Sequence, residues 1–189
     1  MDALFILFAV LFVLSLIPLA FLGLRAYRRY RGARVIVCPE TRAPAAVELD
    51  ARHAAATDLF GSVDLRLQSC SRWPERKDCG QECLAQIEAA PEDCLARTIL
   101  AKWYEGATCA LCGRDVSEIG WTDHKPALLS PDRKTLAWGD VAPQDLPGVL
   151  ATHYRICWDC HVAESFRAKH PELVVDDPLH RADRRARAS

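Results

Sequence analysis

Between Ala3 and Leu24 the chain runs for 22 residues (ALFILFAVLFVLSLIPLAFLGL) without a charged side chain. Coiled as a helix, this run reaches about 33 Å and crosses a hydrocarbon layer roughly 30 Å thick. A helix also satisfies every backbone polar group in lipid from within one segment. Pro18 removes one of those internal hydrogen bonds, a loss that membrane helices tolerate when neighbouring groups make it good. A cleaved leader is the competing reading. Against it, the run is longer than the usual leader core, Met1 and Asp2 bring no basic residue, and no small-x-small site precedes the arginines that follow. Residues 1–24 are therefore expected to be an uncleaved, single-pass transmembrane anchor.

Arg25, Arg28, Arg29, Arg31 and Arg34 follow in a basic juxtamembrane segment, 25–34, that contains no acid. Positive charge collects on the cytoplasmic side, which places the N-terminus outside and the C-terminal domain in the cytoplasm. The plain role of such a cluster is a stop-transfer flank resting on anionic head groups. The net charge of the whole chain is -1, so residues 35–189 sum to -5. That balance gives no electrostatic footprint for nucleic acid outside the juxtamembrane cluster and the basic C-terminal tail. In a reducing cytoplasm the nine cysteines are metal ligands, reactive thiols or small buried residues rather than a disulfide framework.

After the anchor the pattern reads as α+β, a small Cys-rich domain with enough apolar residues to bury a core. Residues 35–107 predict a β-meander followed by helices. Val35-Ile36-Val37 and Ala46-Val47-Glu48-Leu49 flank a Pro39/Pro44 turn, and Val63, Leu65 and Leu67 alternate with polar neighbours before Cys70. Ala51 to Leu59 suits a helical turn or two ended by Gly61, and Gln81 to Ala90 suits a helix. Pro91 fits the first position of a further helix that places Leu95, Ile99 and Trp103 on one face and stops at Gly106. Residues 172–189 have little to bury and read as a flexible basic tail.

Residues 108–171 follow a different logic, set by two CxxC pairs. Cys109-x-x-Cys112-Gly113 forms a turn, a hairpin is expected around Ser130-Pro131-Asp132-Arg133, and Cys157-x-x-Cys160 opens a helix carrying Val162, Ala163 and Phe166. Four thiolates at the corners of a tetrahedron are the usual closed site for Zn(II). The 44 residues between the pairs exceed the usual zinc-ribbon interval, but loop closure grows only logarithmically and the excess costs roughly 1 kcal/mol. A structural zinc contributes roughly 10 to 16 kcal/mol in small peptides, so spacing is no obstacle. Cys109, Cys112, Cys157 and Cys160 are thus the first candidate metal ligands.

Cys38 and Cys70 end predicted strands, while Cys79 and Cys83 stand one helical turn apart. These four are candidates for a second zinc or an iron–sulfur cluster. The alternatives are a set with Cys94 in place of Cys38, or no metal at all.

The order of knuckle, hairpin and helix resembles the treble-clef zinc finger over residues 108–171. Within that class it is similar to HNH-type endonucleases, whose variants carry CxxC, an Asp-His pair and a later CxxCH. This chain has Cys109/Cys112, Asp123-His124 and Cys157/Cys160-His161 in that order. The resemblance implies His124 as the base that activates water, with Asp123 and His161 holding a catalytic cation. The chain departs from the pattern at Thr152-His153, where that family has an asparagine. Read alone, Cys157-Trp158-Asp159-Cys160-His161 is also the motif of c-type haem attachment, which needs an exported compartment and leaves Cys109 and Cys112 without a role. The remaining histidines and the five tryptophans have the plainer reading of surface and core residues.

No phosphate loop, nucleophile elbow or metalloprotease helix is present, and four thiolates leave zinc no open position, so no catalytic residue is assigned. The expected function is a membrane-anchored zinc-binding accessory or assembly protein that presents its domain to a protein partner, one component of a membrane complex. Electron transfer through haem or an iron–sulfur cluster, and HNH-like nuclease activity, are the alternatives. Nucleic acid is not an expected partner, and the sequence names no small-molecule substrate.

Overall fold

A computed structural model describes residues 2–76, 78–122 and 125–173. The architecture is mixed helix and sheet, divided into two compact units. Met1–Glu105 with Val141–Ala151 form one, and Gly106–Asp140 with Thr152–Ser189 form the other.

The first unit begins with α1 (Asp2–Tyr30), one helix that runs through Pro18. Its stretch from Leu4 to Tyr30 is long and apolar enough to cross a membrane. A cleavable leader passes the same test of length; a core helix of a soluble protein would be buried, and this span is not. Exposure changes sharply near its end: Leu24 is 46% exposed, Ala26 4% and Tyr30 6%. The last turns of α1 therefore pack on the domain, against α2 (Ala51–Asp58). Ala51, Ala54 and Ala55 are the buried residues of α2, small side chains that let two helices approach closely. Asp50 caps α2, its carboxylate accepting from the His53 amide at 3.0 Å.

A three-stranded antiparallel sheet in the order β1-β2-β3 joins β1 (Arg34–Val37), β2 (Pro44–Leu49) and β3 (Leu67–Cys70). Ile36, Ala45, Val47, Leu49 and Leu67 face one cluster with Tyr30, Ala54 and Ile87. The expected third strand is shorter than its alternation implied. Leu65 is buried, but the Asp64 amide donates to the Thr57 hydroxyl at 3.0 Å and the Asp64 carboxylate pairs with His53 at 2.7 Å. That stretch follows the end of α2 instead of the ladder.

The helices α3 (Leu84–Ala89) and α4 (Ala96–Tyr104) are displaced from their expected starts. Gln81 takes a left-handed backbone, φ 57°, which excludes it from a helix, and its side chain accepts the Leu67 amide at 3.0 Å. Pro91 does not start α4 because the next residues lie along β1: the Val35 amide donates to Cys94 O at 2.8 Å and the Ala96 amide to Ala33 O at 3.1 Å. Ala96, Leu100 and Tyr104 are the buried stripe, with Ile99 and Trp103 half-buried beside it. Residues 86–95 thus cover the edge of β1, helped by Gln86, whose amide both accepts from and donates to the Val37 backbone.

Arg34 ties these parts together. Expected to be one of five head-group arginines, it is instead fully buried. Its guanidinium donates to Tyr30 O and Arg29 O at 2.7 Å each, to Gly32 O at 3.1 Å and to Pro91 O at 3.4 Å. The last carbonyls of a helix lack internal donors and carry partial negative charge, which a cation satisfies. Burial pulls the Arg34 pKa down, opposed by neighbouring Cys94 and Tyr30.

In the second unit, β4 (Ala127–Leu129) and β5 (Thr135–Ala137) form the expected hairpin, and β6 (Tyr154–Ile156) pairs with the other side of β4. Central β4 is buried along its whole length. The hairpin turn is closed by Ser130, which accepts from the Lys134 amide at 3.0 Å. A short helix, α5 (Leu146–Thr152), precedes β6 in the chain, which enters α6 (Trp158–Lys169) directly after that strand. Asp123-His124 and the tail from residue 174 onward lie outside the described residues.

Replacing Arg34 with Met leaves four carbonyls without their donor. We expect Arg34→Met to lower stability by roughly 2–4 kcal/mol in denaturant unfolding of the detergent-solubilised chain. Arg28→Met, on an exposed position of the same helix, should change it by less than about 0.5 kcal/mol.

Candidate metal centre

The second unit gathers the two CxxC pairs. Cys109 and Cys112 sit on a knuckle in which the Cys109 amide donates to Arg114 O at 2.7 Å and the Gly113 amide to Cys109 O at 2.9 Å. Gly113 supplies the left-handed turn, φ 73°, that glycine adopts without cost. The Ala110 amide donates to Arg155 O at 2.9 Å, which ties the knuckle to β6. Cys157 is the N-cap of α6 and Cys160 lies in its first turn. The four Sγ atoms lie within 4.8 Å of one another, with Cys112 and Cys157 3.7 Å apart. A tetrahedron with Zn–S bonds of about 2.3 Å has sulfur–sulfur edges of about 3.8 Å, so the quartet can hold a metal ion of that size.

Backbone groups favour thiolate here. Cys109 Sγ accepts from the buried Cys157 amide at 3.2 Å, and Cys157 Sγ accepts from the Cys160 amide at 3.4 Å. Burial acts to raise the Cys109 pKa, but amide donation from Cys157, Cys112 and Leu111 outweighs it and brings the thiol down to about 7. Burial pushes the Cys157 and Cys160 thiols up. Several thiols in contact do not all ionise without a cation between them. Cys109 and Cys157 are buried, Cys160 is half-buried and Cys112 is exposed. Arg114 and Asp159 form an ion pair between the knuckle and the first turn of α6. Sequence reasoning passed over this pair, whose signal was an arginine just after the first CxxC-Gly and an acid inside the second CxxC.

His161 packs its ring on Trp158, centroids 4.8 Å apart. Its buried Nδ1 has no hydrogen-bond partner among the described residues. Burial lowers its pKa, with Asp140 acting the other way. His153 bonds Thr152 at 2.9 Å.

In the first unit, Cys38, Cys70, Cys79 and Cys83 line one cavity. Cys94 stands apart, its thiol directed at Gln86 O, so the ligand set that swaps Cys94 for Cys38 finds no support in the geometry. All nine cysteines are free thiols.

Fold and site together define an α+β chain with a candidate four-cysteine metal centre and one helix able to cross a membrane. Comparison with known proteins places it in no narrower group: no family model, no curated protein and no solved structure matches the chain.

A Cβ at Gly113 meets nothing within 4 Å, so Gly113→Ala isolates the backbone cost, about 1–2 kcal/mol. We expect metal binding about tenfold weaker in competition with a chromophoric chelator.

Proposed function

We propose that this chain is a membrane-anchored zinc protein whose cytoplasmic domain serves as a non-enzymatic accessory or assembly module for a protein partner. The convergence of Cys109, Cys112, Cys157 and Cys160 Sγ within 4.8 Å carries the reading. Thiolates in that number and spacing favour zinc and close its coordination, so the ion staples the fold instead of activating water. Its module is treble-clef-like, a knuckle and a helix N-terminus bracketing a hairpin. What favours zinc over haem attached at Cys157 and Cys160 is that both sulfurs face the knuckle thiols, with no width between them for a porphyrin. Arg25, Arg28 and Arg29 in the last turns of α1 and Arg31 just beyond it support the cytoplasmic orientation. Val162 and Phe166, one turn apart on α6 and each 50% exposed, support a protein partner that covers them.

Elemental analysis of the chain purified from membranes should find zinc, and Cys112→Ser/Cys160→Ser should lose one equivalent. Strong chelation should melt the second unit and erase the near-ultraviolet signal of its tryptophans, Trp121, Trp138 and Trp158. A C-terminal topology reporter should be active in the cytoplasm. In native electrophoresis of gently solubilised membranes the chain should migrate in an assembly larger than itself. A metal-free protein, an exported C-terminus or a lone monomer would each remove the corresponding part of the proposal.

A further inference from the structure

We infer that Cys38, Cys70, Cys79 and Cys83 form a second metal centre, independent of the first and built wholly within the unit that carries α1. Three strand or loop ends and one helix start bring these thiols to the walls of a single cavity: Cys38 just beyond β1, Cys70 at the end of β3, Cys79 in the following loop and Cys83 at the start of α3. Shared walls alone do not make a ligand set. The turns around the sulfurs supply a second observation. Cys70 Sγ accepts from the Arg72 amide at 3.5 Å and Cys79 Sγ from the Gln81 amide at 3.4 Å, each two residues on. Amides folded back onto a sulfur stabilise thiolate, and the first centre uses the same device at Cys109 and Cys157. The turns meet their requirements locally: Arg42 and Gln81 adopt left-handed backbones, φ 56° and 57°, and the Arg42 amide donates to Cys38 O at 2.8 Å.

The remaining lining supplies the third observation. Arg72 and Arg76 line this cavity, as do Glu40 and Glu82, so its charged side chains balance. Arg76 is held by Glu40 at 3.5 Å, and Arg72 pairs with Glu75 at 2.9 Å. The Arg72 Nε is buried and has no hydrogen-bond partner among the described residues. A buried donor left unpaired is costly, and an ionised sulfur cluster beside it supplies the acceptor. Cys83 is buried, and the other three cysteines are half-buried around it.

The upstream sulfurs are more widely spread than the downstream quartet, which alone among the described residues has all ligand atoms within 4.8 Å. Ligation of a common ion therefore has to draw the upstream sulfurs together. The shared chemistry is a thiophilic centre held by four thiolates whose protons leave on binding. Its occupant is either a single zinc ion or an iron–sulfur cluster, and the experiment below separates them.

The full chain, purified in detergent without air, is assayed for zinc, iron and acid-labile sulfide per chain. Wild type should hold one centre beyond the downstream zinc: a second zinc in a colourless sample, or iron with sulfide in a brown one. Cys94→Ser should match wild type, and Cys38→Ser/Cys83→Ser should lose the additional centre while keeping one zinc. Should that variant fail to fold, Cys109→Ser/Cys112→Ser gives the converse reading. Titrated with cobalt(II), or reconstituted with ferrous iron and sulfide, it should still develop a thiolate-to-metal charge-transfer band. One zinc and no iron in wild type, unchanged metal content in Cys38→Ser/Cys83→Ser, or no such band in the converse variant overturns the inference. Because the downstream centre is counted separately, loss of one site is not mistaken for loss of the other.

Discussion

The second unit is organised around four sulfurs that a cation would hold together. Four sulfurs converge within 4.8 Å, a distance at which thiolates repel strongly and thiols have little reason to meet. Meanwhile α6 buries none of its own side chains. It lies against β4 and β5 and is tied by the capping Cys157, the Arg114–Asp159 pair and a Thr135–Ser165 hydroxyl contact at 3.1 Å. A helix of 12 residues is marginal without tertiary support. A cation held at the focus of the four sulfurs would join α6 to the knuckle and fix it there.

The first unit solves a different problem, how a helix apolar enough for lipid can end inside a folded domain. The carbonyls that close α1 would be stranded at the protein boundary, and Arg34 meets them from the first residue of β1. Strand and helix therefore share one buried cation. Pro91 O joins the same guanidinium, so the segment leading into α4 is registered against the same point. The helix end is thus fastened to the sheet whose strand ends bring Cys38 and Cys70 forward.

Much of this was legible residue by residue. The hairpin around Ser130 to Lys134, the strands at 34–37 and 44–49 and the short α2 follow from local alternation and turn chemistry. The two CxxC pairs announced themselves because both ends of each pair are fixed by one turn of backbone. The failures were also local in origin. Pro91 is a good helix starter, yet residues 94–96 were claimed by β1. Leu95, Ile99 and Trp103 share a helical face, but the core received the adjacent stripe, since the two stripes differ by one residue and only the position of the sheet chooses between them. Gln81 reads as helical until its backbone is required to turn beside Cys79.

By itself the sequence determined the properties that depend on neighbours along the chain: an uncharged run of membrane length, the spacing of paired cysteines and the alternation of short strands. The tertiary structure alone decided which distant thiols meet, that Arg34 parts from the other arginines of residues 25–34 for the interior, and that Val141–Ala151 belongs with the first unit. The reason is physical: burial and ligation are made between residues tens of positions apart. Their free energy is gained only after chain closure, so no local pattern records it.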